Sequence, residues 1–479
     1  MTSTAVVADT IDVHALAVGL SHSRAESAAR GCSNPIRLTG SSTTLDTATG
    51  EVVRTYASAD EPDGHTYVRC GNRRASVCPS CSREYKGDAW HILMAGLSGG
   101  LGVPESVTDH PSIFLTLTAP SFGPVHRATG TKGRHGKKSP CRARRDRPVC
   151  PHGRPLSCNR RHDPETDRFV GQPLCRDCYD YTAHAIWQWH APELWRRFTE
   201  YFRRNLARAA GLPVNSKKGV GFTDLARISY TKVAEFQARG AVHFHAVIRL
   251  DGPHGPTTPP RLDFTADDLT TAAHAAAGQV YVDAPTPDGD TLRLRWGQQV
   301  DTRTITHGAG RDNTEGPAHP GMVGGYLAKY LTKGVEEFGL PATSTRIRSA
   351  ADARHVGASD HAVRLIAAAS GLVGVHEDYR PIAKRLGMLG YRGHPITKSR
   401  AYSATFGSRR EARRTWRRQR ARLAPDADVR DVLDIDTTDD AETDTTITIG
   451  TWRYAGRGYL DNFDAAKAVM SATRARTRP

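Results

Sequence analysis

Nowhere in its 479 residues does the chain gather an uninterrupted apolar run approaching the roughly 18 residues that a membrane-spanning helix needs. The first 30 residues hold Asp9, Asp12 and scattered Ser and His, and lack the early positive charge and apolar stretch of an export signal. No repeat of solenoid period is present. A membrane partner is therefore disfavoured, and the chain is expected to stay in the cytoplasm. Acidic residues are also in short supply: 50 Asp and Glu against 66 Lys and Arg leave a formal charge of +16. Such a surplus points to a polyanionic partner, nucleic acid first, because Lys and Arg gain affinity by releasing condensed counterions. A 38% share of hydrophobic residues, with seven Trp, excludes a mainly disordered chain, and the length suits about two to four domains. Nine cysteines in a reducing compartment read as metal ligands rather than disulfides.

Composition divides the chain into a polar leader (1–30), a cysteine-rich segment (31–108), a central domain (109–340) with a cysteine-rich insertion at 121–180, a basic region (341–424), an acidic linker (425–448) and a tail (449–479). Phe114–Ala119, FLTLTA, reads as a buried strand between Pro111 and Pro120. Tyr181 to Arg208 carries Ile186, Trp187, Trp195, Phe198 and Phe202 at helical steps, with a break expected at Pro192. Ala226–Phe236 and Ala241–Leu250 read as a hairpin turning at Ala238-Arg239-Gly240. A helix near Thr265–Gly278, a strand at Leu292–Trp296 and a helix from Gly324 to Glu337 complete an α+β fold.

Two stretches carry chemistry. In EFQARGAVHFHAVI, His243 and His245 lie two apart on a strand and share a face, while Phe244 points into the core. A turn centred on Arg239 sets Glu235 opposite His243, four residues from the centre on each side, so a carboxylate joins the two imidazoles. That trio suits Mn²⁺ or Mg²⁺, with positions open to substrate oxygens. A bare H-x-H is usually decoration on an exposed strand; the apolar neighbours and the opposed Glu235 favour the site. In GGYLAKYLTKG, Tyr326, Lys329, Tyr330 and Lys333 fall at i, i+3, i+4 and i+7 on one helix face, beside an apolar stripe of Val323, Leu327 and Leu331. A tyrosine stripe is commonly packing, but ammonium groups are costly to bury unpaired. Two phenols with two ammoniums suit nucleophilic attack on a phosphodiester.

FLTLT, HFH and YLAKYLTK, in this order, resemble the three motifs of the HUH endonucleases that initiate rolling-circle replication, and the doubled tyrosine resembles their two-tyrosine branch. GNRRASVCPSC, CRDCYDY, WHAPELWRRFT, EFQARGAVHFHAV and GYRGHPITKSRAYSATFG are similar to actinobacterial replication initiators of plasmids and integrative elements, over most of residues 30–420. The resemblance implies an HUH-like antiparallel sheet flanked by helices. It implies a strand- and site-specific nickase of double-stranded or locally melted origin DNA, which forms a covalent 5′-phosphotyrosine, serves the host helicase and polymerase, and rejoins the displaced strand. It places His243, His245 and Glu235 as metal ligands, Tyr330 with Lys333 as nucleophile and companion, and Tyr326 as second tyrosine. Spacing alone does not discriminate the two tyrosines, since Tyr326 has its own Lys329 three residues on. A relaxase or transposase would use the same chemistry, although relaxases more often place the nucleophile before the histidines. A non-catalytic, zinc-stabilised DNA-binding regulator is the reading from another class.

Cys78-x-x-Cys81 and Cys175-x-x-Cys178 have zinc-knuckle spacing. Cys70 and Cys32 are the natural completion of the first; Cys150 and Cys158 are the simplest partners of the second, with His152, His162 and Cys141 as substitutes. Two structural Zn²⁺ are expected. Between Arg409 and Arg422 eight positions are Arg, among them Arg409, Arg410, Arg413, Arg414, Arg417 and Arg418. With Glu411 as their one nearby acid in sequence, they are expected to hold DNA phosphates. Asp426 to Asp444, with nine carboxylates, reads as a disordered linker.

Overall fold

A computed structural model describes residue 29 and residues 31–61, 63–129, 140–163, 166–307, 316–341, 346–422 and 446–477. The expected leader and acidic linker fall almost wholly outside these residues. The chain forms two compact units, one of residues 1–85 with 410–479, the other of residues 86–409. Among the described residues no helix is long and apolar enough to cross a membrane.

The first unit is built on a long strand, β1 (Ile36–Asp46), paired antiparallel with β2 (Val52–Ala57) and β3 (Thr66–Val68). Its other edge pairs with a strand from the far end of the chain (Thr446–Arg457), from Ile36↔Arg457 to Asp46↔Thr446. The segment read as a tail thus supplies a sheet strand, followed by a helix (Asn462–Thr477).

The second unit centres on a five-stranded antiparallel sheet. The strands of this unit in chain order are β4 (Ser112–Leu117), β5 (Arg227–Phe236), β6 (Val242–Asp251), β7 (Val282–Pro285) and β8 (Thr291–Leu294), which pair as a separate two-stranded ribbon, then β9 (Val300–Thr304) and β10 (Ile396–Lys398). The order across the main sheet is β10-β5-β6-β4-β9. Because side chains alternate, β6 sends Phe244, Ala246, Ile248 and Leu250 to one face and His243, His245, Val247 and Arg249 to the other. The first face is covered by a long helix (Tyr181–Ala209), whose Trp195 meets Phe244 edge to face at 6.0 Å. Asp180 caps that helix by accepting from the Ala183 N–H, and Pro192 lies inside it without ending it, against the expected break. Packing of a 29-residue helix against the sheet outweighs one missing backbone donor. A second helix (Ala266–Gln279) starts at a Thr265/Asp268 capping box and packs Leu269, Ala272, Ala273 and Ala276 into the same core. Residues 350–391 add Ala353, Leu365, Ile366, Tyr379 and Tyr391 to it.

The helix-covered face also holds Lys232, 2% exposed, with its ammonium 3.9 Å from the Phe244 ring centroid and 5.6 Å from that of Trp195. Burial pulls its pKa down from 10.5 to about 7. The unfolded chain therefore holds a proton at neutral pH more firmly than the native chain, which favours unfolding. That penalty fades as pH rises from about 7 toward the unfolded value near 10.4. Lys232→Met should raise stability at pH 7 by on the order of a few kcal/mol in urea denaturation, and by clearly less at pH 10. A loss of stability at pH 7 would contradict this account.

On the opposite face, Arg249 and Asp251 form a buried ion pair, with Arg249 Nε and Asp251 Oδ1 2.6 Å apart, and His110 Nδ1 lies 2.7 Å from the same carboxylate oxygen. Burial alone would raise the Asp251 carboxyl, but hydrogen bonds from His110 and Arg249 outweigh it and hold it below the usual range. Arg249 also donates to the Gly96 carbonyl, tying the helix Pro79–Ser98 to this face.

Candidate active site

The hairpin of β5 and β6 has the register expected from the turn count: Glu235 pairs with His243, and Val233 with His245. Gly240, with φ +81°, makes the turn. Glu235 Oε2 lies 3.0 Å from His243 Nε2 and 3.0 Å from His245 Nε2, and the two Nε2 atoms are 3.1 Å apart. Adjacent ligands of a six-coordinate ion at about 2.1 Å are separated by about 3.0 Å, so this triangle has the edge of one face of an octahedron. These three ligand atoms lie close enough together to hold one metal ion. Burial keeps His245 below its ordinary pKa and therefore neutral. For Glu235, burial pushes the carboxyl up, but hydrogen bonds from the two histidines win and hold it ionised. The trio fits a divalent cation.

The third strand completes the site. Thr116 of β4 pairs across to His245, and its Oγ1 lies 2.9 Å from His245 Nδ1. With the ring proton on Nδ1, Thr116 accepts it and Nε2 keeps its lone pair for a metal. Asp301 of β9 pairs with Thr116 and extends this row with a carboxylate. Neither residue was expected from sequence; FLTLT marked the strand, but its pairing partner could not be known. Thr116→Val should preserve shape and weaken Mn²⁺ binding about 10- to 100-fold by electron paramagnetic resonance titration. Unchanged affinity would leave Thr116 no part in orienting the ring.

The tyrosines come from the helix Pro320–Leu331, with Pro320 at its first turn and His319 Nδ1 accepting from the Gly321 N–H. This helix ends at Leu331 rather than continuing to Glu337, so Lys333 lies beyond the Thr332 cap. A Gly at 324 permits close packing: a Cβ there would stand 2.7 Å from Met94 Sδ. Tyr326 Oη stands 3.2 Å from His245 Nε2, and its ring meets Phe114 edge to face at 6.0 Å. Burial, then the nearby Glu235 charge, push the Tyr326 phenol well above its ordinary pKa. Tyr330 packs against Tyr326 at 4.6 Å between centroids and lies 6.1 Å from the His245 ring. Lys333 Nζ and Lys329 Nζ lie 5.1 and 6.0 Å from the Tyr330 centroid. The trio and both tyrosines thus meet around His245, while Lys329 and Lys333 stand beside the Tyr330 ring, Lys333 past the end of the helix.

The cysteines form three groups. Cys32, Cys70, Cys78 and Cys81 converge as expected, with Cys32 Sγ 3.7 Å from Cys78 Sγ and 3.6 Å from Cys81 Sγ. A tetrahedral zinc with Zn–S of about 2.3 Å sets sulfurs about 3.8 Å apart. Tyr459, from the far end of the chain, donates to the Cys32 carbonyl at 2.9 Å. The second expected knuckle is corrected: Cys150, Cys175 and Cys178 are joined by His152, not by Cys158. Cys158 exchanges backbone hydrogen bonds with Arg142, which place it in a separate group with His126, Cys141 and His162. Linear proximity favoured Cys158, but the chain doubles back between Arg142 and Cys158.

The arginine helix (Phe406–Arg422) is present. Its cations are not all available: Arg413 pairs with Glu84 at 3.1 Å, Arg414 with Glu411 at 3.1 Å, and Arg409 lies 3.7 Å from Asp88. The expectation of little internal pairing is corrected, since Glu84 and Asp88 are distant in sequence. Arg410 is exposed, whereas the side chains of Arg417 and Arg418 lie outside the described residues.

A half-buried Glu–His–His trio that could hold a metal ion thus stands beside paired tyrosines and lysines on a strongly basic chain. The comparisons give the class: the family RepSA, described as "Replication initiator protein, pSAM2", matches residues 21–473, and the chain belongs to this family of replication initiators. A "Replication initiator protein" of Streptomyces ambofaciens is 40% identical over 451 residues, covering 92% of this chain and 87% of the relative. No solved structure matches the chain.

Proposed function

We propose that this replication initiator has the HUH endonuclease fold and nicks one strand of its origin DNA, through a tyrosine, to begin rolling-circle replication of a plasmid or integrative element. The observation that carries the reading is the convergence of Glu235, His243 and His245 at 3.0–3.1 Å with the Tyr326 hydroxyl 3.2 Å from the same His245 nitrogen. Glu235, His243 and His245 would hold Mg²⁺ or Mn²⁺, which supplies positive charge to a phosphodiester's non-bridging oxygens. Thr116 holds the His245 ring in the ligand tautomer. Tyr330 is the first nucleophile: its phenolic oxygen bonds to phosphorus and gives up its proton, the P–O3′ bond breaks, and the departing 3′ oxygen takes a proton. No electrons change hands, and the phosphodiester energy is kept in the 5′-phosphotyrosine. Lys329 and Lys333 offset charge at the transferring phosphate, and Tyr326 is the second phenol for strand rejoining.

The free 3′-hydroxyl would serve the host polymerase, with the duplex opened by a host helicase. The bulk positive charge, Arg410 included, would contribute affinity for origin DNA in single- and double-stranded form, and zinc at the cysteine groups would be structural. Incubating the full chain with origin single strands and Mn²⁺ or Mg²⁺ should yield a protein–DNA adduct that survives denaturation. If neither metal gives an adduct, the non-catalytic regulator becomes the better reading.

A further inference from the structure

The insertion between Phe122 and Tyr179 lacks an ordinary core. Among its described residues no Leu, Ile, Val or Phe is buried, whereas Cys141, Cys150, Cys158, Cys175 and His162 are. Side chains that stay dry with only a half-buried ring, Phe169 beside His126 and His162, for apolar company need another source of cohesion, and metal–ligand bonds supply it in segments too small or too polar to collapse.

The two groups of the insertion are tetrahedral in dimension. In one, Cys158 Sγ lies 3.4 Å from His162 Nε2, Cys141 Sγ 3.8 Å from His126 Nδ1, and the two ring nitrogens 3.1 Å apart. In the other, His152 Nδ1 lies 3.2 Å from Cys178 Sγ and 3.8 Å from Cys175 Sγ. Zinc with Zn–S of about 2.3 Å and Zn–N of about 2.05 Å gives nitrogen–sulfur edges of about 3.6 Å and nitrogen–nitrogen edges of about 3.3 Å. Support around the first group is also of the kind metal ligands receive. Asp167 Oδ2 sits 2.6 Å from His162 Nδ1, leaving Nε2 as the ligand atom, and the Arg127 N–H donates to Cys141 Sγ at 3.1 Å.

Along the chain the ligands alternate in pairs. His126 and Cys141 belong to the first group, Cys150 and His152 to the second, Cys158 and His162 to the first, and Cys175 and Cys178 to the second. We infer that the insertion is a cross-braced module binding two Zn²⁺, one at His126, Cys141, Cys158 and His162, the other at Cys150, His152, Cys175 and Cys178. Neither site closes without spanning half of the other, so the ions load together. Pairing Arg142 with Cys158 is the backbone clasp of the first loop, and the Cys150–Gly153 turn, closed by the Gly153 N–H to the Cys150 carbonyl at 2.9 Å, presents the paired ligands of the second.

With the Cys32 group, the chain then holds three zinc ions on nine thiolates and three imidazoles. The purified full-length protein, dialysed free of loosely held metal, should contain three Zn²⁺ per chain by elemental analysis. Zinc X-ray absorption should report an average of three sulfurs and one nitrogen per ion. Two ions with four sulfurs each would overturn the assignment and restore a pair of all-cysteine knuckles. His162→Ala should lose two ions and keep the one on Cys32, Cys70, Cys78 and Cys81; retention of two ions would overturn the cross-brace. Cys158→His, which keeps a ligand in place, should hold three ions and lower the sulfur count from nine to eight, so the assignment is tested even if His162→Ala misfolds. An unchanged sulfur count in Cys158→His would remove Cys158 from the ligand set.

Discussion

Tyr330→Phe should abolish the covalent protein–DNA adduct while leaving origin binding and metal content unchanged. The substitution removes one oxygen from a ring packed at 4.6 Å against Tyr326, so the helix and the trio should persist. A phenyl ring cannot bond to phosphorus, and loss of a nucleophile typically costs several orders of magnitude in rate. Tyr326→Phe should still form the first adduct but fail to move the strand to a second phenol, giving nicked circles that are not rejoined. The readout is an origin oligonucleotide labelled on its 5′-phosphate side, resolved under denaturing conditions after seconds and after minutes. The opposite pattern, with Tyr326→Phe blocking the first adduct, would hand the opening role to Tyr326, whose hydroxyl lies 3.2 Å from His245 Nε2. Adduct formation by the double variant would falsify tyrosine chemistry altogether.

The second large effect is expected at His245. This residue faces Glu235, His243, Thr116 and Tyr326 at once, at distances of 3.0, 3.1, 2.9 and 3.2 Å. His245→Ala removes a ligand and the ring against which Phe114 stacks, and Mn²⁺-dependent nicking should fall by at least about 1,000-fold. His245→Gln keeps the side-chain length and a donor–acceptor end, and should keep the fold while losing most metal affinity. Isothermal titration with Mn²⁺ separates the two consequences, since a residue needed only for packing would leave the titration intact in the Gln variant. Retained metal-dependent nicking in His245→Gln would remove the residue from the ligand set.

Legibility in the sequence followed distance along the chain. Glu235, His243 and His245 sit within eleven residues, so strand alternation and one turn count suffice to put them on a common face. Tyr326 and Tyr330 follow from helical spacing alone. Thr116 and Asp301 belong to the same row of the sheet, but their register depends on strands more than 100 residues away, and no local period encodes that pairing. The cysteines show the same division. The closely spaced 78/81 and 175/178 pairs were readable, whereas choosing His152 over Cys158 required knowing where the chain folds back. Local propensity alone makes Pro192 a breaker, because it takes no account of the tryptophan-rich face that holds its helix to the sheet.

The strand Thr446–Arg457 has a consequence in time rather than in space. It fills the edge of β1 across an interval of about 400 residues, as in Thr44 Oγ1 and Thr448 Oγ1 at 3.0 Å. At ordinary synthesis speeds of about 5–20 residues per second, a ribosome needs roughly 20–80 s to cover that interval. During that period the early strand exposes an unpaired edge and Cys32 lacks Tyr459 at its carbonyl. A product cut short anywhere before residue 446 lacks the partner of that edge, so the sheet of this unit is completed only after the intervening residues have been made.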